Sequence, residues 1–138
     1  MPGRRLLLGL GLGLGLGLGS EALAEEGLAA KMECRLEAGT GRLLCTVALA
    51  APAGRVLSWS DALVVAAPPA ARPLRSRVAS GGGRPDRIVI GFVLGSGEGG
   101  RIDVVVRAVS CPALPRGGAC TPAQRKVSYE LELPGAPG

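Results

Sequence analysis

Cysteine is the side chain with the most chemistry to offer here. The 138 residues contain four cysteines, in two close pairs: Cys34 with Cys45, and Cys111 with Cys120. Histidine is absent. That excludes Ser-His-Asp and Cys-His catalysis, histidine metal sites and the HExxH zinc motif, since each needs an imidazole. Asparagine is absent as well, so there is no N-glycan acceptor. An even cysteine count in an exported chain reads as disulfides, with three connectivities open to four cysteines. Short separations favour 34–45 with 111–120. Each closed loop would contribute roughly 2.5–3 kcal/mol in the chain-entropy model. The competing pattern, 45–111 with 34–120, would set Trp59 against an inter-sheet disulfide as in immunoglobulin domains. Val109 then stands where the tyrosine of the tyrosine corner belongs. Zinc is the poorest reading, because the spacings lack the close C-x₂₋₄-C pairs of zinc sites. No metal or cofactor is expected.

Other chemical signals weaken on inspection. Carboxylates are few and scattered. Asp61 interrupts an otherwise apolar strand face, either as a satisfied edge residue or as the lining of a site, and the first reading is favoured. Glu130 and Glu132 share a solvated face. No serine sits in G-x-S-x-G. Residues 95–100, GSGEGG, match G-x-G-x-x-G, but a strand follows where a phosphate cradle needs a helix N-terminus. Trp59 could anchor a ligand, yet the one tryptophan of a chain is more often a core residue. Arg72, Arg75, Arg77, Arg84 and Arg87 form the densest basic cluster, broken by Asp86. A basic patch can meet an anionic surface, but no aromatics interleave for base stacking. The cluster is read as a solvated loop and edge strand, with no nucleic-acid partner.

The front of the chain reads as an address. Arg4 and Arg5 precede LLLGLGLGLGLGLG at 6–19, and Ala22-Leu23-Ala24 offers a small-x-small cleavage site. The apolar run would rise only about 21 Å as a helix, short of a hydrocarbon core of roughly 30 Å. A cleaved signal over 1–24 is expected, then a folded domain over 25–138, periplasmic or secreted and without a membrane span.

The elements that must position the cysteines follow a period of two. With 47% hydrophobic residues the chain is no disordered tail. With only Trp59, Phe92 and Tyr129 aromatic, Leu, Val, Ile and Ala must build the core. Residues 31–38 alternate, with Met32, Cys34, Leu36 and Ala38 on one side. Residues 42–50 answer with Leu43, Cys45, Val47 and Leu49. Gly39-Thr40-Gly41 supplies the turn. Pairing apolar with apolar sets 36 opposite 43, 34 opposite 45 and 32 opposite 47, through a two- or four-residue loop. A strand at 56–66 puts Leu57, Trp59, Leu63 and Val65 on one face, and Asp61 within that face signals a bulge or an early end. A short edge strand is expected at 74–79 within a Pro-, Ala- and Gly-rich stretch. Strong strands follow at 87–94, 101–109 and 125–133, the last with Val127, Tyr129, Leu131 and Leu133 inward. Six or seven short strands predict an all-β, antiparallel β-sandwich, immunoglobulin-like in type.

The second cysteine pair lies in SCPALPRGGACTPAQRKVSYELEL. This stretch resembles the amino-terminal, immunoglobulin-like domain of the transmembrane thiol:disulfide interchange protein. That family has a strand, a cysteine, a short loop, a second cysteine followed by x-Pro, and a strand. The match covers about 101–133. It implies that Cys111 and Cys120 would be an exchanging pair, with Arg116 the obvious cation to activate a thiol. The eight-residue loop here is longer than the family's, and Thr121 replaces its usual aromatic. The region 72–86 has no aromatic for a cap, and nothing in the family accounts for Cys34 and Cys45. Two functions are therefore expected in order. The first is a non-catalytic, disulfide-stapled binding or structural module of the envelope, with an unknown protein or envelope component as partner. The second is a thiol–disulfide exchange domain.

Overall fold

The computed structural model describes residues 27–81, 83–113 and 118–132. The expected signal segment, Arg116 and Leu133 lie outside them. The described residues form eight strands: β1 (Ala29–Glu37), β2 (Arg42–Ala50), β3 (Arg55–Ala66), β4 (Ala71–Pro73), β5 (Arg77–Ala79), β6 (Arg87–Leu94), β7 (Gly100–Pro112) and β8 (Thr121–Leu131). They form two four-stranded antiparallel sheets, ordered β1-β2-β6-β4 and β5-β3-β7-β8. The all-β sandwich expected from the period-two pattern is the fold.

The first hairpin has the expected register, with Cys34 opposite Cys45 and Leu36 opposite Leu43. Its loop is the four-residue one, since Glu37 pairs with Arg42. Gly39 and Gly41 both adopt positive φ there, 77° and 72°, which a side chain would strain. The inward rows of the two sheets meet in one core. Leu43, Cys45, Val47, Ile88, Ile90 and Phe92 come from one sheet, and Ala62, Ile102, Val104, Val106 and Ala108 from the other. Val and Ile dominate because their branched side chains fill a pleated surface well. Leu36 departs from expectation and is 63% exposed. It lies at the end of an edge strand, one residue from the turn, where the facing sheet no longer covers it.

Two other expectations are corrected. The edge strand foreseen at 74–79 shortens to β5, and an unforeseen three-residue strand, β4, precedes it in the other sheet. β4 pairs with β6, and β5 pairs with β3. The segment crosses between sheets at Leu74–Ser76, where Leu74 N–H still donates to Gly91 O and Val64 N–H to Ser76 O. The inward face assigned to β3 is wrong beyond Leu57. A register shift between Leu57 and Trp59 inserts one residue, so the alternation changes phase. Ser60, Ala62 and Val64 then face the core, while Trp59, Asp61 and Leu63 face outward.

Short links join β2 to β3 and β6 to β7, so the ends of the two sheets coincide. β1 and β8, the outermost strands on one side, therefore run in the same direction, edge over edge. Among the described residues no helix is long and apolar enough to cross a membrane.

Candidate functional site: the outer face around Trp59 and Cys111–Cys120

On β7 the even-numbered residues Ile102 to Ala108 are buried in the core. The intervening Val105, Arg107, Val109 and Cys111 therefore lie on the outer face of the β5-β3-β7-β8 sheet. Register places Asp61 beside Arg107, Trp59 beside Val109, and Val56 beside Cys111. On the other flank Gln124 pairs with Arg107 and Pro122 with Val109. Trp59, Arg107, Val109, Pro122 and Gln124 line a shallow hollow of 360 Å³.

Asp61 organises the middle of this face. It is 1% exposed although it points outward, because two arginines lie over it. Arg107 Nε donates to Asp61 Oδ1 at 2.9 Å and Arg107 Nη2 to Oδ2 at 2.5 Å, a bidentate fork. Arg77 Nε, from the edge strand β5, donates to Oδ2 at 2.9 Å. The Arg107 hydrogen bonds hold the Asp61 carboxyl below its usual range, against an opposing push from burial, with Arg77 adding to the lowering. Arg107 also stands 5.8 Å above the Trp59 ring, within cation–π range. Asp61 is thus satisfied structurally, the favoured reading of that residue. Trp59 is not in the core: it is 40% exposed, with the guanidinium that binds Asp61 over its ring.

Both close cysteine pairs are disulfides, Cys34–Cys45 and Cys111–Cys120, and the crossed pattern is absent. Their surroundings differ. Cys45 is fully buried in the core, and Cys34 packs against the same cluster. Cys120 is exposed and Cys111 half-buried, two residues along β7 from Val109 in the wall of the Trp59 hollow. Arg55, the first residue of β3, clamps both flanks of the second pair. Its Nε donates to Ser110 Oγ at 2.9 Å. Its Nη2 donates to Ser110 O at 2.7 Å, to Ala119 O at 3.0 Å and to Thr121 Oγ1 at 3.1 Å.

The basic cluster is dispersed by the sheet crossing. Arg72 on β4 and Arg87 on β6 belong to one sheet, Arg77 on β5 to the other, and Arg75 lies between them. Arg77 is engaged by Asp61, and Arg84 by Asp86 at 3.1 Å. Among the described residues no three His, Cys, Asp or Glu side chains gather as metal ligands.

Sequence reasoning missed Arg107 and Arg55. The first had a signal, since Asp61 was anomalous and Arg107 lay on the outward row of the strand that pairs with it. Nothing marked Arg55, whose partners are 55 to 66 residues away in sequence. Comparison with protein-family models, with curated proteins and with solved structures finds no match to this chain.

Proposed function

We propose that this chain is an exported binding module of the cell envelope, periplasmic or secreted, that engages a partner through the outer face around Trp59. The observation that carries this is the half-exposed tryptophan beneath Arg107, whose guanidinium binds the buried Asp61, beside a hollow. Tryptophan and arginine dominate interface energetics when they are rigid and can be desolvated together. The signal-like segment at 1–24 and two disulfides favour an oxidising compartment. The strand order also supports the immunoglobulin-like reading. β1-β2-β6-β4 corresponds to an A-B-E-D sheet and β3-β7-β8 to C-F-G, with β5 added beside β3. The test is site-specific photo-crosslinking in the exporting host, at position 59 and at exposed Val89 on the opposite sheet. A discrete adduct at 59 but not at 89, on a chain beginning at residue 25, is expected. Adducts alike at both positions, or none, overturn the reading.

A second reading is thiol–disulfide exchange by Cys111–Cys120, as the resemblance over 101–133 implies. The favouring observation is the contrast between an exposed Cys120 and the buried Cys45. Replacing Cys120 with Ser should then trap mixed disulfides through Cys111 on a non-reducing gel. The pair's potential should lie nearer about −200 mV than below about −300 mV, where structural disulfides fall. A potential in the lower range with no trapped partner removes this reading.

A further inference from the structure

Among the described residues β8 is the free edge of the second sheet and β1 the free edge of the first. They stack along one side of the sandwich without pairing. On β8 the row facing between the sheets is Ala123, Arg125, Val127, Tyr129 and Leu131. Four of these suit an apolar interior. Arg125 does not. It is level with Val106 and Ala62, both fully buried, and is itself only 8% exposed. Its Nε and Nη2 are buried with no acceptor among the described residues. Two of its three nitrogens are thus buried donors without a partner, a costly arrangement that an acceptor placed there would relieve. The acids of the two seam strands, Glu33 and Glu37 on β1 and Glu130 on β8, belong to outward rows.

We propose that the β1–β8 seam is a strand-docking site. An extended segment of a partner protein adds to the free edge of β8 and turns a carboxylate inward onto Arg125. Strand addition joins backbone to backbone, and every second side chain of the added strand enters the seam. The residues flanking Arg125 on its row are Ala123 and Val127. The recognised pattern is therefore apolar-x-acidic-x-apolar. A second copy of this chain does not supply it. Sheets joined edge to edge keep their inward rows on one side, and no edge strand carries an acid there. β1 offers Ala30, Met32, Cys34 and Leu36, β8 offers the row above, and β4 and β5 contain no acid at all. The described edge strands of a second copy thus lack the charge complement, and the proposal assigns it to a partner of different sequence. The site is separate from the Trp59 face, and either can fail without the other.

The test uses the secreted full-length product and end-capped, fluorescent nonapeptides that alternate Val and Thr. A single Glu replaces Val at the third, fifth or seventh position, and matching peptides carry Gln. At least one Glu peptide should bind roughly tenfold more tightly than its Gln partner, as a charge-assisted bond to a desolvated guanidinium requires. Arg125→Met should fold and abolish that preference. In the unmodified protein, binding should slow amide exchange along β8. Equal binding of Glu and Gln peptides, no binding at millimolar concentration in any register, a preference that survives Arg125→Met, or protection confined to other strands would each overturn the proposal.

Discussion

Asp61 shows how one side chain can decide what a surface becomes. Its carboxylate ties β3 to β7 through Arg107 and to the short β5 through Arg77. The same Arg107 guanidinium fixes Trp59. Asp61→Asn keeps the shape but removes the charge both arginines bind. A loss of about 1–3 kcal/mol in denaturant unfolding is expected, the range for hydrogen bonds to charged groups. The Trp59 fluorescence should shift as the ring is released. Asp61 also sets an acid limit. Its folded-state value lies below the usual carboxylate range, held there chiefly by Arg107, and Asp103 is held low in the same direction, first by Ser128. Stability from a depressed carboxylate is fully present above the unfolded value of about 4 and is lost as pH falls through the folded one. The melting temperature should therefore drop on acidification below about pH 4, and less steeply in Asp61→Asn.

At the level of elements, the pairing of strands was far more legible than their phase. Cys34 and Cys45 could be set opposite each other because apolar residues alternate without interruption on both sides of a glycine turn. β3 offers no such continuity. Ser58 and Ser60 are equally polar, so the inserted residue leaves no mark except Asp61 on the wrong row. The assignment of Trp59 to the core followed from counting straight through the bulge. β4 was missed, and β5 drawn too long, for a related reason, since three-residue strands are too short to show a period. The Arg55 clamp was invisible because it joins the start of β3 to the end of β7 and the start of β8. Arg55→Met removes four hydrogen bonds from that corner. Faster amide exchange at Thr121 and Ala113 is expected, with a stability loss of roughly 1–3 kcal/mol. Unchanged exchange there would mean that the disulfide alone holds the corner.

Across the molecule, the two staples divide the work. Cys34–Cys45 lies on the core side of the first sheet and Cys111–Cys120 on the outer face of the second. Replacing Cys34 with Ala and Cys45 with Val should cost about 3 kcal/mol, the entropy of a loop of this length. The core around Ile90 and Val47 should stay intact. Opening Cys111–Cys120 should cost about its own loop entropy, because the unfolded chain gains that freedom while Arg55 still holds both strand ends in the folded state. Equilibrium unfolding of the two double variants, with and without reductant, checks both statements. The sequence could indicate that staples exist, but whether each faces inward or outward depends on the packing of one sheet on the other.

The common direction of β1 and β8 also has a mechanical consequence. The first strand begins at one end of the sandwich and the last finishes at the other. A pull applied through both would therefore load the hydrogen bonds of β1 on β2, and of β8 on β7, in shear along the strands. Bonds perpendicular to the strands then resist together rather than opening one at a time. Because Cys34–Cys45 crosslinks the first of these pairs and Cys111–Cys120 the second, neither terminal strand can slide free by more than its unstapled end. A domain wired in this way would pass tension along its length while keeping its core closed.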